Sequence, residues 1–175
     1  MHSNRNFTTR DLVYVGIFAA MCTIGTFIKI PFGVGAMVHL GTGVMFTIAI
    51  IYGGVYAGLA GALGSALFDL VMGFSFYTLW SFFIKGIAGL IAGLLAKGLW
   101  PEATAKPAPN KSWLFRAFGG CLLAALWTLS AYVLAWWQVT GSLATAIANI
   151  PSSLMTSGVG IILALVLAAK LRTRL

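Results

Sequence analysis

The stretch GSALFDLVMGFSFYTLWSFFIKG, residues 64–86, decides the fold. Two apolar runs flank a short turn at Gly73-Phe74-Ser75, and one charge sits in each run: Asp69 before the turn, Lys85 after it. A charged side chain at the middle of a membrane-spanning helix costs roughly 3 kcal/mol on insertion scales. Ionisable groups that are nevertheless kept in such segments face the bundle interior or a cavity, and they mark functional sites by default. The stretch therefore reads as two spans joined by a tight turn, with a polar spot between them.

The rest of the chain has the same character. Its 175 residues are 60% hydrophobic and 8% charged, with mean hydropathy +0.97, where a soluble domain carries about 25% charged residues. The apolar runs are continuous and about 20 residues long, which suits helices and not the short alternating segments of a membrane barrel. The expected fold class is all-α integral membrane: one domain over residues 1–175, a compact bundle of six transmembrane helices. The spans fall at about 11–28, 40–52, 55–72, 76–99, 113–137 and 143–169, with a polar, proline-bearing linker at 100–112. A loop, KIPFGVGAM, separates the first two spans. The polar start MHSNRNFTTRD, followed by an apolar run without a small-residue cleavage site, reads as a retained first span.

The formal charge of +8 does not point to nucleic acid, because the basic residues sit at helix ends and form no groove-lining patch. They give the topology instead. Arg5, Arg10, Lys97, Lys106, Lys111, Arg116, Lys170, Arg172 and Arg174 fall on one side if the spans alternate, leaving Lys29 near the opposite face and Lys85 within a span. The positive-inside rule then puts both termini on the cytoplasmic side of the cell membrane. Cys22 and Cys121 lie in apolar runs with no metal-binding spacing and read as small buried hydrophobes.

Small residues recur at four-residue spacing: Gly16 with Ala20, Gly54 with Gly58, Gly61 with Ser65, and Gly89 with Gly93. Such stripes let helix backbones approach closely in lipid. Spans three and four must pack on each other, so the stripe on span one is the candidate for docking onto another membrane protein.

Asp69 lies about 6 Å below the outer end of span three, and Lys85 about 14 Å down span four, so the two meet in the outer half of the bundle or share a ligand there. An ion pair fixing the register of the two spans is the plain alternative. His39 starts span two; Tyr77 and Trp80 start span four; Trp136, Trp137 and Gln138 end span five; Asn149, Ser152 and Ser153 flank Pro151 early in span six. Each has a dull reading, as an interfacial aromatic or a local hydrogen-bonding group. Together they describe an outward-facing small-molecule pocket with aromatic walls, for which we name His39, Asp69, Tyr77, Trp80, Lys85, Trp136, Asn149 and Ser153.

Neither a GxxxxGK[ST] phosphate loop nor an HExxH pair occurs, and the histidines are His2 and His39 alone. Nucleotide hydrolysis by that route and zinc proteolysis are excluded; Ser65 in GLGSA is a packing residue before it is a nucleophile. Coupling to protons or sodium would need more carboxylates than Asp69. An intramembrane enzyme and a stand-alone small-molecule carrier or channel remain as competing readings.

Residues 38–96, VHLGTGVMFTIAIIYGGVYAGLAGALGSALFDLVMGFSFYTLWSFFIKGIAGLIAGLLA, resemble the S components of energy-coupling factor (ECF) vitamin transporters, in the branch around riboflavin, pyridoxine and hydroxymethylpyrimidine. The motifs are the glycine-rich third span ending GSALFDL, the short turn, and the FIKG run. The resemblance implies a substrate-specificity subunit, not an enzyme, that captures a vitamin or precursor from outside. It implies partners too: a T protein and two ATPases, which use the ATP and magnesium, so that this chain needs no cofactor or metal of its own. It implies that Gly16, Ala19 and Ala20 dock onto that module and that the subunit topples in the membrane. The chain departs from the branch at Thr42, where an acidic residue is frequent, and at Ser153 and Thr156, where an Asn and a Gln are common. Those changes remove an acceptor charge and amides from the pocket. The aromatic content favours a flat aromatic ligand such as hydroxymethylpyrimidine, pyridoxine or riboflavin; with the resemblance, the order is hydroxymethylpyrimidine or pyridoxine type first, then riboflavin, with non-aromatic pantothenate as the remaining alternative.

Overall fold

The structure, a computed structural model, describes residues 7–32, 36–100 and 112–171. His2, Arg5, Lys106, Lys111, Arg172 and Arg174, nearly all of the expected linker, and residues 33–35 lie outside the described residues. The elements run α1 (Thr9–Phe27), β1 (Lys29–Pro31), β2 (Met37–His39), α2 (Gly41–Tyr52), α3 (Gly54–Val71), α4 (Ser75–Ala96), α5 (Ser112–Thr140), α6 (Leu143–Ala148) and α7 (Ile150–Leu171). α1, α3, α4, α5 and the α6–α7 unit are each long and apolar enough to cross a membrane.

Three features differ from the expectations. The loop after the first span is framed by a small antiparallel hairpin, with Lys29 opposite His39 and Pro31 opposite Met37, so the fold is not purely helical. The expected sixth span is a short helix and a long one, separated at Asn149. Pro151 lacks the amide that would continue the ladder there, and Ser142 caps the short helix by accepting from the Thr145 amide at 3.2 Å. Lastly, α2 keeps the bounds expected for the second span, but its twelve residues make about 18 Å against a hydrocarbon core of roughly 30 Å, so five described helices and not six have the length to cross. Nine of those twelve residues are buried, which makes α2 the centre of the bundle.

The chain alternates direction. α1 and α3 run parallel, tied at one end by Tyr56 donating to Asp11 and further along by Thr23 donating to the Gly64 carbonyl at 3.0 Å. Asp11 also closes a capping box with Thr8, which satisfies free amides at the start of α1. α4 returns antiparallel to α3: the Gly54 and Val55 amides donate to the Gly98 and Leu99 carbonyls at 2.9 and 3.0 Å. Gly53 must be glycine at that junction, since its φ is +89° and a Cβ would lie 2.7 Å from the Gly98 oxygen. The Gly54/Gly58 and Gly89/Gly93 stripes face each other, and a Cβ on Gly89 or Gly93 would strike the backbone of Ala57 or Gly54. The backbones therefore touch, as small-residue packing in lipid requires.

Four described basic residues gather at one end: Arg10 opens α1, Lys97 caps α4, Arg116 donates to the Leu95 carbonyl at 3.2 Å, and Lys170 sits in the last turn of α7. The hairpin, Lys29 and the α3–α4 turn lie at the opposite end. Cys22 and Cys121 are free and buried.

Candidate functional site

A cavity of about 190 Å³ opens at the end away from the basic cluster. The hairpin supplies Ala36, Met37 and His39; α3 supplies Asp69. From α4 come Tyr77, Ser81 and Lys85, with Phe74 just before it; from α5, Thr128, Tyr132 and Trp136; from α7, Ser153, Thr156 and Ser157. The helical contributions are periodic: 77, 81 and 85 on α4 and 128, 132 and 136 on α5 step by four, so each set forms one stripe along its helix.

The two charges do not pair. The Lys85 ammonium donates to Thr42 Oγ1 on α2 at 2.9 Å and lies 5.5 Å from the Tyr132 ring centre. Asp69 Oδ2 is enclosed and has no hydrogen-bond partner among the described residues. Both side chains are deeply buried, Lys85 5% and Asp69 6% exposed. Burial of ions at this level is sustained by compensating polar groups, and among the described residues Asp69 Oδ2 lacks one. Thr42, the departure from the family pattern, proves to be the hydroxyl that meets the lysine.

Tyr132 and Trp136 stack at 5.5 Å between centres with planes 29° apart, and the Tyr132 hydroxyl donates to Ser81 at 3.1 Å. These contacts fix a flat aromatic wall. Thr128 and Thr156 spend their protons on the Ala124 and Met37 carbonyls, at 2.8 and 3.1 Å, which leaves them as acceptors toward the cavity. The Thr156 bond also ties β2 to α7. His39, opposite Lys29 in the hairpin, has its Nδ1 sealed from solvent without a partner. Burial, with repulsion from Lys85 and Lys29, pushes its pKa down to about 3, so the imidazole is neutral at physiological pH.

Of the eight residues singled out from the sequence, His39, Asp69, Tyr77, Lys85, Trp136 and Ser153 line this cavity. Trp80 does not. It lies off the 77–81–85 stripe, in an apolar groove between α4 and α5 with Phe83, Ile87 and Trp127. Asn149 does not either: it is 1% exposed at the α6–α7 break, where its carbonyl accepts from Ser152 Oγ at 2.8 Å. Trp137 and Gln138 are exposed. Ser81, Thr128, Tyr132 and Ser157 were not foreseen as site residues; the four-residue step from Tyr77 and Lys85, or back from Trp136, is the signal that finds three of them. On α1, Gly16 and Ala20 are exposed, but Ala19 is buried against Gly64 of α3, so it presents no side chain to a partner.

A family model described as ECF-type riboflavin transporter, S component, matches residues 6–173. The UPF0397 protein of Streptococcus pneumoniae serotype 19F (strain G54) is 33% identical over 92 residues, 52% of this chain and 50% of that protein. The UPF0397 protein of Streptococcus pneumoniae strain Hungary19A-6 matches at the same identity and extent. The chain thus spans about half the length of the curated relatives it matches. Among solved structures, ThiT from Listeria monocytogenes shares the fold, with TM-score 0.68 over 91% of this chain and 93% of that one at 23% identity. The family match covers nearly every residue of the helical bundle that holds the cavity, and the chain belongs to the S components of ECF-type riboflavin transporters.

Proposed function

We propose that this chain is the substrate-specificity subunit of an ECF-type importer, capturing a vitamin or vitamin precursor in the cavity and handing it on through a T protein and two ATPases. The carrying observation is the open cavity whose two charged residues, Lys85 and Asp69, keep unused hydrogen-bonding capacity among the described residues. In this reading α2 counts as a sixth span, the basic end and both termini face the cytoplasm, and the cavity opens outward. Hydroxymethylpyrimidine and pyridoxine come first as ligands, then riboflavin and pantothenate. ATP and magnesium are used by the partners, and Gly16 and Ala20, exposed on α1, lie on the docking surface.

The test is affinity purification of the tagged chain from its native membrane, followed by uptake in proteoliposomes. Recovery of a T protein with two ATPases, and uptake that needs them and ATP, is the expected result. Uptake by the chain alone would replace this reading with a stand-alone carrier.

A further inference from the structure

The residue that holds one of the two cavity charges lies behind the cavity wall. Thr42, in the first turn of α2, is 2% exposed and is not among the residues that line the cavity, yet its Oγ1 accepts from the Lys85 ammonium at 2.9 Å. On the other side, Ser81 hydrogen-bonds the Asp69 carboxyl while accepting from the Tyr132 hydroxyl at 3.1 Å. Each charge thus has a hydroxyl of its own, and the two do not pair.

That arrangement runs against charge attraction. In a low-dielectric interior an ammonium is drawn to a carboxylate far more strongly than to a neutral hydroxyl. Lys85 carries its ammonium on a flexible four-carbon stem, and Asp69 Oδ2, on the same cavity, has no partner among the described residues. Something must keep the ammonium on α2.

The other buried threonines show what is unusual about Thr42. Thr23, Thr26, Thr47 and Thr128 each turn their hydroxyl back on the carbonyl four residues earlier. The residue four before Thr42 is Val38, which belongs to β2 and offers no helical carbonyl. The Thr42 hydroxyl meets α4 instead. Its methyl is seated against Gly160 of α7, where a Cβ would lie 3.2 Å from it. A buried β-branched side chain packed in this way has little freedom at χ1, so Oγ1 is a fixed point.

We infer that Thr42 is a positioning residue: its hydroxyl holds the Lys85 ammonium against α2 and off Asp69, so that the cavity presents a cation and an anion separately. The consequence rests on the capture reading above: both charges stay open to a solute instead of cancelling each other.

Asp11 and Asp69 are the only aspartates in the sequence, so the full chain labelled at its aspartate carboxyl carbons gives two signals by nuclear magnetic resonance in detergent. Asp69→Asn assigns them. Asp11, bound by Thr8 and Tyr56 at the opposite end, is the control for an intact fold. Thr42→Val keeps the shape and removes the hydroxyl; Lys85 should then swing to Asp69 and move its signal, and Thr42→Ser should leave that signal in place. The movement should vanish without the lysine, so that Thr42→Val combined with Lys85→Met matches Lys85→Met alone. If the Asp11 signal also moves in Thr42→Val, Thr42→Ala removes the same hydroxyl with less bulk and decides instead. An Asp69 signal that stays put in Thr42→Val, or moves equally without Lys85, would overturn the positioning.

Calorimetric titration with pyridoxine, hydroxymethylpyrimidine, riboflavin and pantothenate reads the consequence. Whichever of them the unmodified chain binds should bind about 10-fold more weakly to Thr42→Val and equally well to Thr42→Ser. Equal affinity in Thr42→Val would overturn the role in capture. Silence from all four on the unmodified folded chain, with the Asp69 signal still moving in Thr42→Val, would count against the capture reading and leave the positioning of Lys85 standing.

Discussion

His39 shows how a single residue couples the site to stability. An imidazole in an unfolded chain titrates near about 6.5, whereas His39 in the fold is held down to about 3 by burial and by Lys85 and Lys29. Between those values the unfolded chain binds a proton that the folded one does not. Stability is therefore full above about pH 6.5 and declines as pH falls toward 3. The midpoint of thermal unfolding should drop between pH 7 and pH 5, and His39→Gln should flatten that drop; an identical slope in the variant would show that the imidazole is not strained by protonation. Legibility at this scale followed cost. Asp69 and Lys85 stood out because a charge in lipid is expensive. Ser81, Thr128 and Ser157 did not, because small hydroxyls are cheap in apolar helices when they bond back to the preceding turn, as Thr128 does to Ala124. Trp80 misled for the opposite reason: an aromatic near a helix end suits the membrane interface as well as a pocket.

At the scale of elements, the α3–α4 pair is the most closely joined unit of the bundle. Gly93→Val places a side chain against the Gly54 backbone, which cannot yield without separating the helices, and should destabilise by about 1–3 kcal/mol or more. Gly119→Ala on α5 meets nothing within 4 Å and should be neutral. Comparable shifts in unfolding temperature for the two variants would refute the close approach. Helix ends were readable to within a few residues, since Gly53, Gly73 and Pro101 punctuate the apolar runs plainly. The hairpin was not readable, because three-residue strands, one of them ending in proline, leave no alternation to detect. The break before α7 was signalled by Pro151, but a proline alone does not tell a kink from a stop.

For the whole molecule, the separation of the basic end from the cavity end makes the proposed orientation measurable. The native cysteines are 3% and 0% exposed and contribute little background to thiol labelling. Phe76→Cys, at an 81% exposed position beside the α3–α4 turn, should react with a membrane-impermeant maleimide on intact cells. Leu171→Cys, at the basic end, should react only after permeabilisation. The reverse pattern would invert the topology.

The alanine layer beneath the cavity has a further consequence. Ala57, Ala60, Ala88, Ala92, Ala124 and Ala164 are all 0% exposed, so among the described residues small side chains pack tightly between the cavity and the basic end. The described bundle is thus a cup with a densely packed floor. On the proposed capture reading a solute held in the cavity would have no path through these packed helices, and delivery to the other side would need the cup itself to turn over or be prised apart. The work of moving a small solute would then become work done on the surrounding lipid, and the thickness and fluidity of the bilayer would enter the transport rate alongside the affinity of the site.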